Sequence, residues 1–480
     1  MRGKQDNVEG RSADGILGLS LSAATTTTVV TAALWVVAIA MVAVLIRQRY
    51  RDGIGADPFG PGSNVDLGAF LAAAHSVAEG GSPYTGSAHY IYFAPLSLVL
   101  SLASHVDRVD VLRVWTAAGI GAVVVAVGLL LRALRSRVGA PWQVPVLFAL
   151  CCGIGLHIWP MTYEFFLGND DAFVLLGVVV AGLVWSAHRP VWFGVVLGLV
   201  CLIKVWPVVL VLAVLQQGVD TRRRALAVSA LVGTIVVGLA TNLVPAGIGE
   251  FSSFLHAVFA AKSQHLVSDS VTGIPKLLFS RTGLAVPLVV STGLRDLLTM
   301  VLLACVVGLL VVCLSTRGEP MLCVFNTTIF VVLVDPVSHM VYSILALPVV
   351  WFWLANYRVF LRPGIRSGPS LTVKVGVALT VLLWCAIQVK AWPGDGSPAS
   401  LSSIRLVVIF AANLALFTAS VVGGRTLMRP ARADRFAHAG GADGPEASPA
   451  ETGPVRARIT AVTPPLQRGA EQEPTVPSTS

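Results

Sequence analysis

Few side chains in this sequence can do chemistry, and they fall at a handful of places. Asp66 lies in Asn64-Val65-Asp66-Leu67-Gly68-Ala69-Phe70, at the head of an amphipathic stretch that runs to Glu79. A carboxylate there either accepts helix-terminal N–H bonds or serves as a base beside a cleft. Lys204 stands in Leu202-Ile203-Lys204-Val205-Trp206-Pro207 with apolar residues on both sides. Such a lysine either reaches an interface or a carboxylate, or holds a phosphate with its compact ammonium. Gly168-Asn169-Asp170-Asp171 separates two apolar runs and follows Tyr163 and Glu164. It reads as a turn leading into a helix N-terminus, and its adjacent acids raise a metal as the second reading. Asp335-Pro336-Val337-Ser338-His339-Met340-Val341-Tyr342 is a polar island between apolar runs. His339 there is either an interhelical hydrogen bonder or, with Asp335 and Tyr342, part of a polar cleft. The segment 247–284 mixes Lys262, His265, Asp269, Lys276 and Arg281 with Phe254, Phe259, Leu277, Leu278 and Phe279. Its composition suits an interfacial segment meeting anionic headgroups, with Lys276 a further phosphate-binding candidate.

The elements that must position these residues are membrane helices. Apolar residues make up 55% of the 480 and charged residues 12%, about half the charge that keeps a soluble surface wet. Mean hydropathy is +0.78, and lipid is the solvent such a chain requires. The expected fold is an all-α integral membrane bundle of about ten to twelve spans. The first apolar run, 27–46, is long enough to span and lacks a cleavage signal, so it reads as a retained helix. Segments 91–105, 190–203 and 205–216 are too short for upright spans. The first is expected to dip in and return. The other two form a hairpin broken at Lys204-Val205-Trp206-Pro207, where Pro207 removes a backbone donor. In 285–315, which holds Arg295 and Asp296, only the second half is expected to span. Residues 1–26 read as a cytoplasmic N-terminal segment, 27–424 as the transmembrane domain, and 425–480 as a disordered cytoplasmic tail rich in Pro, Gly, Ala and Glu.

The net charge of +9 is concentrated in Arg132, Arg135 and Arg137; Arg222, Arg223 and Arg224; Arg358, Arg362 and Arg366; and Arg425, Arg429, Arg432 and Arg435. These runs should face the cytoplasm. Arg47, Arg49 and Arg51 are an exception, placed with the candidate residues on the other side. No nucleic-acid-reading motif accompanies the charge, and no phosphate loop, dinucleotide fingerprint or nucleophile elbow is present. The seven cysteines all lie in apolar stretches, which argues against a disulfide framework or a CxxC metal site.

Four segments together resemble the integral-membrane GT-C glycosyltransferases, and among them glycosyltransferase family 87. Asn64-Val65-Asp66-Leu67, then Gly81-Ser82-Pro83-Tyr84 and Tyr92-Phe93-Ala94-Pro95, is similar to the family's first outer loop. Leu167-Gly168-Asn169-Asp170-Asp171 resembles its G-Q-x-N block, and Gly194 to Gly198 with Lys204-Val205-Trp206-Pro207 its G-x-x-x-G…K-x-x-P block. Asp335-Pro336-Val337-Ser338 followed by Pro348 resembles its S-P-x-S block.

The resemblance implies an inverting transferase, with a polyprenyl-phosphate sugar as donor and a glycolipid or polysaccharide as acceptor. It implies a multi-pass protein of the plasma membrane with an extracytoplasmic site, and no cofactor, metal or nucleotide. It assigns Asp66 as the base that deprotonates the acceptor hydroxyl, and Lys204 as the holder of the lipid phosphate. Tyr84, Tyr92, Asn169, Asp171, His339 and Tyr342 would line the substrate cleft. Asn169 and Asp171 replace the family's Gln and Asn, and Val341 and Tyr342 replace the His-His pair of the mannosyl members. Tyr342-Ser343 is more similar to the arabinofuranosyl branch. Both arabinofuranose and mannose therefore stay open as the sugar. A polyprenyl-phosphate or phospholipid transporter without transferase chemistry is the alternative reading, and it would need polar access from both faces.

Overall fold

The computed structural model describes residues 23–55, 57–60, 63–84, 90, 92–246, 249–264, 268–282, 286–335, 340–361, 371–389 and 399–427. These residues form helices and connecting turns, with no strand among them. In chain order the helices are α1 (Ala23–Ile54), α2 (Val65–Ala78), α3 (Ala94–Ser101), α4 (Arg108–Ala133), α5 (Arg135–Val138), α6 (Gln143–His157), α7 (Trp159–Leu167), α8 (Asp171–Ser186) and α9 (Pro190–Ile203). A 3-10 helix, Trp206–Leu215, separates α9 from α10 (Thr221–Ala246), α11 (Gly249–Gln264), α12 (Gly273–Phe279), α13 (Thr292–Leu314) and α14 (Pro320–Val334). A second, Met340–Ala346, leads into α15 (Leu347–Ala355), α16 (Arg358–Leu361), α17 (Leu371–Gln388) and α18 (Ala399–Leu427).

Among the described residues, six helices are long and apolar enough to cross a membrane: α1, α4, α10, α13, α17 and α18. The pair α6 and α7 is long and apolar enough only when taken together, and it is bent by 57°, where Pro160 at the start of α7 cannot donate into the preceding turn. The chain is an all-α polytopic membrane protein. The remaining apolar helices are shorter, and among them α8, α14 and α15 lie in the interior. In α14, the run from Met321 to Leu333 is buried on every side. By contrast α1, α10 and α13 turn Val36, Val44, Val237, Leu297 and Met300 outward, a surface that lipid alone solvates.

Two expected irregularities take definite form. Helix α3 is eight residues long, about 12 Å at 1.5 Å per residue, and cannot cross roughly 30 Å of hydrocarbon. Tyr92 and Arg108 therefore lie on the same face. Helix α9 runs to Lys204, whose backbone is extended (φ −142°, ψ 132°), and the 3-10 helix returns beside it with Pro207 near its start. Its far end is tied down where the Gln217 N–H donates to Leu314 C=O (2.7 Å). The hairpin is thus two short legs with Lys204 at the tip, as the Pro207 break implies.

The glycines of the G-x-x-x-G block belong to packing. A Cβ at Gly194 would lie 2.2 Å from Ala227 O, and one at Gly198 would lie 2.6 Å from Thr234 Cβ. The two glycines let α9 and α10 cross in backbone contact.

Two expectations are corrected. The whole of Thr292–Leu314 is one helix long enough to span, because Ser291 caps it and Arg295 and Asp296 pair with each other (2.8 Å) in its exposed first turns. The segment 247–284 is also less superficial than its composition suggests. Phe254 stacks on Phe93 (4.6 Å between ring centroids) rather than facing lipid. Ser268, Asp269 and Ser270 are buried, held where the Val271 N–H donates to Leu333 C=O (2.8 Å) at the end of α14.

Candidate functional site

The site begins at a helix start and a glycine turn that hold each other. Asn64, the residue before α2, has a left-handed backbone (φ 48°). Its N–H donates to Phe166 C=O (2.7 Å), and its side-chain amide donates to Pro58 C=O (2.5 Å). Asp66 follows in the first turn of α2, half-buried, where the helix dipole favours a carboxylate. Opposite, α7 ends at Gly168 with φ +66°, and a Cβ there would sit 2.8 Å from Leu67 Cβ. Glycine is needed twice over, for the backbone angle and for the room.

That turn delivers Asn169, Asp170 and Asp171 into the protein interior. Asn169 C=O accepts from Trp115 Nε1 (3.1 Å), and its side chain bridges the Asp170 N–H (2.8 Å) and Asp171 Oδ2 (3.3 Å). Lys204 reaches the same place from the hairpin tip. Its Nζ lies 2.6 Å from Asp171 Oδ1, 3.1 Å from Asp170 Oδ1 and 3.5 Å from Asn169 Oδ1. Both aspartates are fully buried and Lys204 is nearly so. The ammonium also sits 4.6 Å from the Tyr342 ring centroid and 5.9 Å from that of Tyr92, within cation–π range.

Asp66 completes the group from the more exposed side. Its carboxylate is close enough to act electrostatically on Tyr92, Glu164 and Asp171. Six residues singled out from the sequence therefore come together: Asp66, Lys204, Tyr92, Asn169, Asp171 and Tyr342. Tyr84 stands one layer away, its hydroxyl donating to Tyr92 C=O (3.0 Å). Tyr90 packs between Tyr84 and Tyr92. Burial pushes its phenol up, so at neutral pH it remains a donor, and it donates to Phe93 C=O (2.8 Å). Lys276 is exposed on α12 and is not part of this cluster. His339 lies outside the described residues.

Two residues join that sequence reasoning left out of the site. Asp170 is the second partner of Lys204. Glu164 is buried and accepts from the Ala172 N–H (3.2 Å), while its Oε2 is buried without a hydrogen-bond partner among the described residues. The signal for Glu164 was present in Met161-Thr162-Tyr163-Glu164-Phe165-Phe166, an acid inside an apolar run.

Of the two readings of Lys204, pairing with carboxylates is the one seen. All three ammonium protons have acceptors, so a donor phosphate would meet Lys204 only by exchanging one of them. The same contacts explain why a lysine is tolerated here, because a buried ammonium needs a facing anion and filled hydrogen bonds.

The described members of the arginine runs gather at the other end of the same helices. Arg137 pairs with Glu319 (2.7 Å), which also accepts from Ser186 (3.2 Å). Arg223 lies over the Trp185 ring (4.1 Å), and Arg358 packs on Gly139. Gln216, Glu319 and Arg425 line one small cleft. From Asp171 to Trp185 along α8 is about 21 Å, and from Trp115 to Arg132 along α4 about 25 Å, at 1.5 Å per residue. The acidic site and the basic residues thus occupy opposite ends of the bundle. Of the exceptional arginines, Arg49, at the site end of α1, is buried and paired with Asp52 (2.9 Å), while Arg47 and Arg51 are exposed.

Residues 90–336 match the sequence profile of glycosyltransferase family 87. The chain belongs to that family. It is a membrane-embedded glycosyltransferase, and its substrates are accordingly a sugar donor and an acceptor. Comparison with curated proteins gives no match. The matched segment contains Asn169, Asp170, Asp171 and Lys204, whereas Asp66 lies 24 residues ahead of it (90 minus 66) and Tyr342 just beyond it.

Proposed function

We propose that this glycosyltransferase moves a sugar, arabinofuranose or mannose, from a polyprenyl-phosphate donor to a lipid or glycan acceptor, by inversion, at the extracytoplasmic face of the plasma membrane. The observation that carries the reading is the placement of half-buried Asp66 beside the buried Lys204–Asp170–Asp171 cluster, at the end of the bundle opposite the arginines. The positive-inside rule supports a cytoplasmic arginine end, and with it an outer position for Asp66. A donor that brings its own lipid-phosphate leaving group suits a site set among membrane helices.

In this reading Asp66 takes the proton of the acceptor hydroxyl as that oxygen attacks the anomeric carbon. The bond from that carbon to the phosphate oxygen breaks on the opposite side, and the lipid phosphate leaves as the anion. Asp66 suits the base because it is the acid of the group that retains access, while Asp170 and Asp171 are enclosed and committed to Lys204. Positive charge from Lys204 meets the leaving phosphate where it develops, once a carboxylate contact has been exchanged. Val341 and Tyr342 stand at the places of the histidine pair of the mannosyl members, and both sugars stay open.

Membranes containing the expressed chain, given polyprenyl-phosphate arabinose or polyprenyl-phosphate mannose separately, test the donor. Transfer from one of them supports the reading and names the sugar. Transfer from neither, across several lipid and glycan acceptors, removes it.

A further inference from the structure

At the arginine end, α1, α4 and α6 enclose a groove of about 490 Å3. Its walls include Trp35 from α1, Gly128 and Leu131 from α4, and Phe148 from α6. Trp35 and Phe148 contact each other (5.5 Å between centroids). A Cβ on Gly128 would have Phe148 Cε2, at 4.0 Å, as its nearest neighbour, so the glycine leaves room. Arg132 and Arg135 also line the groove, and both are exposed. Neither has an ion-pair partner among the described residues, in contrast to Arg137, which is paired with Glu319.

The order along α4 gives the groove a polarity. Gly128 precedes Arg132 by one helical turn, about 6 Å nearer the middle of the bundle. The apolar lining thus lies at hydrocarbon depth and the two guanidinium groups at headgroup height. Exposed Trp142 sits nearby at the start of α6, at the level where interfacial aromatics gather. A water-soluble anion would use the arginines and leave the apolar wall idle, whereas a zwitterionic lipid would use the wall and bring its own cation to the arginines. A lipid with net negative charge satisfies both parts.

We propose that this groove is a binding site for an anionic glycerophospholipid, its phosphate between Arg132 and Arg135 and an acyl chain over Gly128, Leu131 and Phe148. The lipid would hold α1, which is otherwise mostly exposed, against α4 and α6. The site is distinct from the Asp66 cluster and does not depend on the sugar transferred.

Native mass spectrometry of the full chain in detergent, titrated with phosphatidylglycerol or with phosphatidylcholine, tests this. The wild type is expected to retain one phosphatidylglycerol about tenfold more tightly than phosphatidylcholine. The Arg132→Gln, Arg135→Gln double variant, changed only at exposed positions, should erase that difference. Gly128→Trp should fill the groove and lose the retained lipid of either kind. Equal retention of both lipids by the wild type, or undiminished phosphatidylglycerol retention in the double variant or in Gly128→Trp, would overturn the proposal.

Discussion

Lys204 Nζ lies 2.6 Å from Asp171 Oδ1, joining the tip of a broken hairpin to the first turn of the helix that faces it. With Asp170 at 3.1 Å the ammonium answers two buried carboxylates at once. Removing one partner of such a group leaves uncompensated buried charge and costs about 3–5 kcal/mol. Lys204→Ala should therefore lower thermal stability in detergent as well as activity. Asp170→Asn placed in the Lys204→Ala background should restore part of that loss. Simple addition of the two single losses in a double-mutant cycle would show that the residues are not coupled.

Gly168 sets the direction of the Asn169-Asp170-Asp171 turn. Alanine there must adopt a left-handed backbone, which costs on the order of 1–3 kcal/mol, and its Cβ meets Leu67 at 2.8 Å. Gly168→Ala is expected to lower both the unfolding temperature and the transfer rate, because Leu67 adjoins Asp66. Unchanged values in calorimetry and in the transfer assay would mean that the turn relaxes freely.

Trp115 acts on the cluster from behind, through its hydrogen bond to Asn169 C=O. Trp115→Phe keeps an aromatic ring toward Phe70 and Phe173 and removes the donor together with the second ring of the indole, the lost hydrogen bond alone contributing about 0.5–1.5 kcal/mol. The expected result is a several-fold fall in transfer with a small loss of stability. Equal activity would show that Asn169 is held well enough by its own side-chain bonds.

Gly198 and Gly233 offer a contrast within one helix pair. Gly198→Val drives a side chain into Thr234 and should prevent α9 from seating on α10, so that folded protein in the membrane falls sharply. Gly233 on α10 has nothing within 4 Å of its Cβ position, and Gly233→Val should be well tolerated. Comparable yields of the two variants would remove the packing role assigned to the G-x-x-x-G block.

Much of this was legible from residue types and order. Low charge demanded lipid, Pro207 predicted the break beside Lys204, and the arginine runs predicted the shared basic face. Lys204 and the Asn169-Asp170-Asp171 turn each stood out as polar groups among apolar neighbours. Their contact was not legible, because the two are more than thirty residues apart and nothing local says that a hairpin tip meets a helix start. The inward turn of Glu164 was hidden for a similar reason, since the 57° bend at α6–α7 decides which way its side chain faces. Composition alone also did not show that, within 247–284, Phe254 stacks on Phe93 and Asp269 is buried, while Phe251, Leu255 and Lys276 stay exposed. The short interior helices were hard to separate from spans, because a buried helix and a lipid-facing one are equally apolar.

Asp66 is the residue on which the account turns, and it lies outside the segment matched to the family. The decisive measurement is sugar transfer from the accepted polyprenyl-phosphate donor by the wild type and by Asp66→Asn, each brought to equal levels of folded protein in the same membranes. Asparagine is nearly the same shape and gives up only a helix-dipole interaction of about 0.3–1 kcal/mol, so the variant should insert and fold. If Asp66 is the base, transfer falls at least about a hundredfold, the lower range for loss of a general base, with donor retention preserved. Transfer at the wild-type rate by Asp66→Asn would contradict the account.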